Sequence, residues 1–569
     1  MAHPLRNGAP GEPALYCRFR GRARSPIAPS LVFAAIWTVV FAGLPANAEV
    51  KLANIFGSGG ILQHGKPAPV WGLANPGEAV KVALQGINGC ALSREAETVA
   101  DHDGKWIVTF DPLTAGDAFH LVAKGRDSTA AAYNMLAGDV WFYAGKYRFR
   151  YLRLIPEITE KGWKEANADL FPLLRLYATA GVRDDAGGCA MPQRAEDGRW
   201  VGPEAYSIFG FSPGILCHFA IEQVRQKKIP VGIVYAASIY DHGIDEYLPA
   251  EAFVQDPVLG QTEEAKKLAW FVGGTEACKA LNNARIAYME TYLADSIKRN
   301  EAGDDVPPPD FPEAPDWART KTSAAYNSAI YPTLPFAVRG VVVNDPGGAQ
   351  PMDARTHGAK LERLVDALRK GFGDPALPVF LIQENAHGQQ NTILATTRFA
   401  VQQMLAQKDR HAFRVVYQDV EIHPDTPGLF LKTIPAIGRR LHALVERHVD
   451  GNPSPSNEMP ELVGFREGPQ SLVLTFSMPL KTADGLEPAG FAIKDKGQSV
   501  FRPASAVIDG SEIALSAPGV AAPEHANYGF VNAAMRNKPN VVGVNGMPAP
   551  AFSTEWVEDE TGRGPEGAR

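Results

Sequence analysis

Gly138-Asp139-Val140-Trp141-Phe142-Tyr143-Ala144-Gly145-Lys146-Tyr147-Arg148-Phe149-Arg150 reads as a strand, then a glycine turn, then a basic segment. From Gly138 to about Asp450 strands and helices alternate. Val231-Gly232-Ile233-Val234-Tyr235 is a buried-type strand, and the helix before it has Ser212 as N-cap and Pro213 at its first position. Val338–Val343 is a further apolar strand. Leu361, Leu364, Val365 and Leu368 follow at i, i+3, i+4 and i+7, one face of an amphipathic helix. Pro378–Ile382 is the next strand, Asn391–Gln407 a helix, and Phe413–Tyr417 another strand. A last helix carries Ile434, Ile437, Leu441 and Leu444 on one face, with Pro435 near its start. Such alternation predicts an α/β fold, a parallel sheet covered by helices on both faces.

Two stretches interrupt the pattern. Glu251–Asn300 is helix-rich and polar. Asp304–Asp316 contains Pro307-Pro308-Pro309 and acids, and reads as an exposed loop. Outward from this core, residues 49–137 read as a β domain. Runs such as Ala79–Leu84 and Trp106–Phe110 are separated by turn signals at Asn75-Pro76-Gly77, Asp103-Gly104 and Ala115-Gly116-Asp117. Gly451–Asn457 is a linker by composition. Residues 458–557 read as a second β domain, with strands at Ser471–Phe476, Gly490–Ile493 and Glu512–Ser516. The tail, 558–569, is rich in glycine and charge and reads as disordered.

The chain has 569 residues, 45% of them hydrophobic and 21% charged, as in soluble globular proteins of two to four domains. Residues 1–48 read as a signal peptide. Arg18, Arg20, Arg22 and Arg24 precede the apolar run Leu31–Leu44, and Ala46-Asn47-Ala48 supplies a small-x-small cleavage pattern. The alternative is a membrane anchor, but the run is shorter than the roughly 20 residues a span needs. Cleavage would remove five Arg and one Glu and take the formal charge from −7 to −11. That predicts a secreted or periplasmic protein with no nucleic-acid partner and no membrane span in the mature chain. Cys90, Cys189, Cys217 and Cys278 match no metal or disulfide framework, and Cys217 reads as a core thiol.

An ordered set of short segments resembles the sialate O-acetylesterase family. It begins with Ile55-Phe56, Leu62-Gln63, Lys66-Pro67, Pro69-Val70-Trp71-Gly72, Pro76-Gly77-Glu78, Asp103-Gly104-Lys105-Trp106 and Gly138-Asp139-Val140-Trp141. Gly198-Arg199-Trp200, Val231-Gly232, Tyr326-Asn327, Leu334–Val341, Ile422-His423-Pro424 and Gly490–Ile493 continue it. The resemblance implies a flavodoxin-like SGNH-hydrolase domain with a parallel sheet, at 138–450, flanked by N- and C-terminal β-sandwich-like domains. It also implies serine-esterase chemistry on acetylated sugars: a serine activated by histidine, with donors for the oxyanion, and no cofactor or metal.

The site blocks depart from that pattern. The family's Gly-Gln-Ser-Asn-Met is matched by Gly145, Lys146, Tyr147, Arg148 and Phe149, so Tyr147 stands at the nucleophile position. A phenol, with a reference pKa near 10, is a nucleophile in principle, but its oxygen lies far beyond the reach of a serine hydroxyl. Ser-Trp-Gly-Gly-Thr is matched by Ala237-Ser238-Ile239-Tyr240-Asp241, without the glycines. Trp-Tyr-Gln-Gly-Glu-Ser-Asn is matched by Val343–Ala349, so the glutamine and the side-chain donor asparagine are lost, with Asp345 and Ala349 in their places, and Pro346 removes a backbone donor. Only Asp-Ile-His-Pro survives, as Glu421-Ile422-His423-Pro424. His423 holds the base position and Glu421 is a carboxylate able to orient it; packing alone is the competing role.

Other residues qualify less strongly. Ser238 reads as a loop serine or a displaced nucleophile. Asp241, His242 and Asp345 have no metal-site spacing. Glu384-Asn385-Ala386-His387 follows a strand and would line a pocket rim. Lys146, Arg148, Arg150 and Arg153 form either a solvated basic helix start or an anion pocket. The sequence thus predicts a relative of the family with ester hydrolysis impaired, binding a carbohydrate or acetylated sugar through Gly145, Lys146, Arg148, Tyr240 and Asp345. An active O-acetylesterase with a rearranged site is the alternative, and a purely structural envelope protein a third.

Overall fold

Short strands, of which Ala68–Leu73, Lys105–Phe110 and Ala118–Lys124 alternate strictly, build the N-terminal part. β1 (Lys51–Leu52), β2 (Ile61–Gln63), β3 (Ala68–Leu73), β4 (Ala79–Gly86), β5 (Ser93–Val99), β6 (Lys105–Phe110) and β7 (Ala118–Lys124) follow one another in the computed structural model. The structure describes residues 49–146, 165–178, 198–202, 214–238, 243–318, 320–344, 353–383, 392–419, 433–530 and 539–556. β1, β3 and β6 form a three-stranded antiparallel sheet, and β4 pairs with β5 and β7. β6 shows the cause: Trp106, Val108 and Phe110 are buried, and Lys105, Ile107 and Thr109 between them project outward.

β8 (Thr129–Lys146) is 18 residues long and belongs to both halves of the molecule. Its first half pairs antiparallel with β7, Leu136–Gly138 pair parallel with β2, and Asp139–Lys146 enter the central sheet. The border expected between residues 137 and 138 therefore falls inside one strand. Gly138 lies inside that strand, where its role is close approach. A Cβ there would stand 2.1 Å from the Pro230 carbonyl oxygen.

The central sheet adds β9 (Leu174–Ala178), β10 (Arg199–Val201), β11 (Val231–Ser238), β12 (Gly340–Asn344), β13 (Val379–Gln383) and β14 (Ala412–Val416). The strand order is β10-β9-β11-β8-β12-β13-β14, parallel except for β10 against β9. The longer helices among the described residues are α1 (Gly214–Lys227), α2 (Glu276–Ala302), α3 (Ala354–Phe372), α4 (Thr392–Lys408) and α5 (Thr433–His448). One sheet face packs Trp141, Ile233, Val342 and Phe380 against Phe219 of α1 and Leu441 of α5. The other packs Phe142, Val341 and Leu381 with Leu361, Leu364, Val365 and Leu368 of α3. The expected helical face is thus the buried one, and the α/β character is as read. α3 starts at Asp353, whose side chain accepts from the Thr356 N–H, and stops at Gly373 with φ +70°. The expected N-cap Ser212 and Pro213 lie outside the described residues.

α2 is buried at Cys278 and Leu281, then leaves Ile286, Met289, Leu293 and Ile297 exposed. The proline-rich loop after it is exposed but held. Tyr292 Oη donates to the Pro307 carbonyl at 2.7 Å, and Tyr288 Oη accepts from the Asp310 N–H at 2.8 Å. Beyond the linker, strands Leu462–Gly468, Ser471–Phe476, Ser505–Asp509 and Glu512–Ser516 form one antiparallel sheet. Phe491–Asp495, Arg502–Pro503, Pro523–Tyr528 and Phe552–Ser553 form another. Leu474, Ile493, Ile513, Leu515 and Tyr528 meet in a shared core. From Glu49 onward the described residues belong to one compact unit. Among them no helix is long and apolar enough to cross a membrane. Cys217 is buried, as expected for a core thiol.

Candidate functional site

The parallel strands all end at one edge, and register aligns the ends. Lys146 of β8 pairs with Ser238 of β11, and Gly145 pairs with Asn344 of β12. β8 is the switch point, because the chain continues to β9 and β11 on one side and to β12, β13 and β14 on the other. In open α/β sheets ligands bind outside the carboxyl ends of the strands at such a point.

Gly145 is there for a steric reason. Its φ is +148°, and a Cβ would stand 2.1 Å from the Asn344 carbonyl oxygen. The Gly145 carbonyl accepts a 2.6 Å hydrogen bond from Tyr247 Oη, a buried tyrosine in the 3-10 turn Ile244–Tyr247. Asn344 is 1% exposed, and its Oδ1 has no hydrogen-bond partner among the described residues. Two further amides line up beside it. Gln383, which ends β13, accepts through Oε1 from the Ala551 N–H at 2.9 Å. The same oxygen accepts from Gln418 Nε2 at 3.4 Å. Gly529 of the C-terminal part leaves room for that pair; a Cβ there would stand 2.4 Å from Gln418 Oε1. Arg440 holds the exit of β14, donating to the Val416 carbonyl at 2.9 Å and pairing with Asp419 at 2.6 Å.

Of the residues predicted for the site, the structure positions Gly145 and the backbone of Lys146 at this edge. Tyr147, Arg148, Tyr240, Asp345, Glu421 and His423 lie outside the described residues, as do Asp241, His242, Arg150, Arg153 and Glu384–His387. Their segments resume from described strand ends: Tyr147 follows Lys146, Asp345 follows Asn344, and Glu384 follows Gln383. No group of three or more His, Cys, Asp or Glu suited to a metal occurs among the described residues.

Sequence reasoning missed Asn344, Gln383, Gln418 and Tyr247. For the first two a signal existed: a single amide closes an otherwise apolar strand, Val341-Val342-Val343-Asn344 and Val379-Phe380-Leu381-Ile382-Gln383. Gln418 and Tyr247 carry no such signal, since their partners are remote in sequence.

At the opposite edge sits Asp139, 1% exposed on its side chain. His64 Nε2 lies 2.9 Å from it, Lys227 Nζ 3.2 Å and Arg339 Nη1 3.3 Å. Asp450 completes the cluster, 2.6 Å from Lys227 and 2.5 Å from Arg339. Burial pushes the Asp139 carboxyl up, but the His64 hydrogen bond and the Arg339 and Lys227 charges outweigh it and hold it below the ordinary value. Other segments that carried the family resemblance also brace the frame. Gln63 Oε1 accepts from the Val140 N–H at 2.7 Å. Trp200 Nε1 donates to the Ile55 carbonyl at 2.6 Å. Phe56 meets Trp71 edge-on at 4.7 Å, and Lys66 pairs with Asp374 at 2.7 Å.

No family model matches the chain. The sialate O-acetylesterases of Pongo abelii and Homo sapiens are each 28% identical to it over 128 residues, 21% of this chain and 24% of theirs. That of Mus musculus is 22% identical over 123 residues. The matched stretch thus spans about a quarter of the length of these curated relatives. A solved carbohydrate acetylesterase from Xanthomonas citri shares the fold, with a TM-score of 0.64 and 20% identity over 89% of this chain and 99% of that one. The chain is therefore similar to the sialate O-acetylesterases over about a fifth of its length and shares its fold with a carbohydrate acetylesterase.

Proposed function

We propose that this chain is an exported carbohydrate-binding relative of the sialate O-acetylesterases that has lost ester hydrolysis. The observation that carries the proposal is the end of β8. Gly145 and Lys146 stand at the switch point between Ser238 and Asn344, and the next residue is Tyr147 rather than a serine. In this reading residues 138–450 form a flavodoxin-like SGNH-hydrolase domain. The β parts at 49–137 and 458–557 flank it as sandwich-like domains, and 1–48 is a cleaved signal peptide that delivers the chain to the periplasm or the exterior. The ligand is a carbohydrate or acetylated sugar, held at the carboxyl edge by Lys146, Arg148, Tyr240 and Asp345, with Glu421 and His423 as remnants of the base.

The chemistry supports loss rather than repair. Acyl transfer needs a nucleophile close to its base and donors aimed at the oxyanion. Tyr147 changes the first, and the Ser238–Asp241 and Asn344–Ala349 segments lack the glycines and side-chain donors of the second. Removing one oxyanion donor alone costs about 10²–10³ in rate. The test is a side-by-side assay of wild type, Tyr147→Ser and His423→Ala with 4-nitrophenyl acetate and a mono-acetylated sialic acid. Trace turnover by all three is expected, with Tyr147→Ser below full recovery. Robust wild-type turnover that His423→Ala abolishes would establish an active O-acetylesterase with another hydroxyl as nucleophile.

A further inference from the structure

A cleft of about 430 Å³ opens between the end of α5, the start of β14 and the first strand of the C-terminal part. It lies along Asp409–Arg414, the beginning of β14, whereas the carboxyl edge lies past Val416. Its volume is in the range of small-molecule pockets. Every residue lining it is among the described ones.

The walls carry charges that cancel in pairs. Arg414 meets Glu461 at 2.8 Å, Arg447 meets Glu458 at 3.4 Å, and Asp409 meets Arg369 at 2.6 Å. Arg410, by contrast, is exposed and forms no ion pair among the described residues; its Nε donates to His411 Nε2 at 3.1 Å. Phe413 and His448, an exposed residue, stack with ring centroids 4.1 Å apart and planes 23° from parallel. Met459 adds apolar surface beside them.

We infer that this cleft is a binding site for a short neutral oligosaccharide. A cationic ligand would have to break an existing pair to gain one, and an anionic ligand would find Arg410 alone among walls whose other charges are matched. A pyranose suits the walls as they stand. Its C–H face lies on a stacked ring platform, and its hydroxyls both donate and accept. Arg410 supplies donors, and Glu458 and Glu461 supply acceptors. The inference does not depend on the carboxyl edge binding sugar, so the chain would hold a glycan even where that edge is inert.

The test is saturation-transfer NMR on the full chain with maltotriose, xylotriose and chitotriose, and phosphate as an anionic competitor. At least one trisaccharide binds the wild type. His448→Ala weakens that binding about tenfold, a difference of about 1.4 kcal/mol, and Arg410→Ala weakens it less. Both side chains are exposed, and an unchanged melting temperature in each variant shows that the fold is intact. His423→Ala leaves the binding unaltered. Three results overturn the inference: no trisaccharide binds; binding survives both cleft variants; or phosphate displaces the sugar. Binding lost only in His423→Ala would assign it to the carboxyl edge, refuting the cleft while supporting the proposed function.

Discussion

The two edges of the central sheet are built from opposite chemistries. At the amino edge Asp139 and Asp450 are locked to His64, Lys227 and Arg339, five residues from five separate segments. At the carboxyl edge the ends of β8 and β13 are held by neutral contacts, Tyr247 on the Gly145 carbonyl, Gln418 on Gln383, and Gln383 on the backbone of Ala551, and the one ion pair described there, Arg440–Asp419, lies past β14. A buried charge must find its partners or cost several kcal/mol, so the ionic edge admits one arrangement. Neutral amides hold strand ends in place and leave the field at the site to whatever residues the loops bring. The Gly138-Asp139-Val140-Trp141 segment is therefore a framework element, although its strand ends at the candidate site.

This contrast makes ranked predictions. The largest effect is expected at Asp139. Asp139→Asn leaves Lys227 and Arg339 facing Asp450 alone, and should destabilise the protein by about 3–5 kcal/mol in denaturant unfolding. Because the folded-state pKa of Asp139 is depressed, its contribution is present above the unfolded value near 3.9 and is lost as pH falls through the folded one. Wild type should thus lose stability on acidification below about pH 4, and Asp139→Asn should show a flatter acid limb. A cost under about 1 kcal/mol would put the pair in the range of a surface salt bridge and remove the contrast.

Next comes Gly145→Ala. The added Cβ meets the Asn344 carbonyl and the φ of +148° disfavours any side chain. A loss of about 1–3 kcal/mol is expected. If calorimetry gave a larger loss than for Asp139→Asn, the carboxyl edge would be the more constrained of the two. The smallest effect belongs to Asp353→Ala, which removes the N-cap of the helix that follows β12. It should cost about 1 kcal/mol, with the α3 amides near Thr356 exchanging faster. No change in their exchange would mean that the cap is redundant there.

Much of the architecture was legible because periodicity is a local property. The i, i+3, i+4, i+7 spacing of Leu361–Leu368 marks a buried face whatever lies opposite, and the alternation in Lys105–Phe110 needs only a pleat. Val231–Tyr235 and Pro378–Ile382 are apolar throughout because both faces are covered. The border at 137/138 marks where the pattern changes to strand–helix alternation, and one continuous strand, β8, runs across it. Inside that strand Gly138 lets the Pro230 carbonyl approach. Of the site, the sequence pointed to the strand end at Gly145 and to the order of the family blocks. It was silent on Gln418 and Tyr247, whose partners Gln383 and Gly145 lie 35 and 102 residues away.

Sequence alone determined that this chain alternates strand and helix, that its family blocks occur in order, and that a tyrosine follows the Gly145 turn. Those are statements about residue identity and spacing, which no folding alters. Only the tertiary structure decided that Asp139 is a buried strut, since that depends on His64, Lys227, Arg339 and Asp450 converging from distant parts of the chain. It likewise decided that Gly145 must lack a side chain, because the Asn344 carbonyl that would collide with one comes from a strand two hundred residues on. Long-range proximity is created by packing, and the physical demand on each residue follows from that proximity.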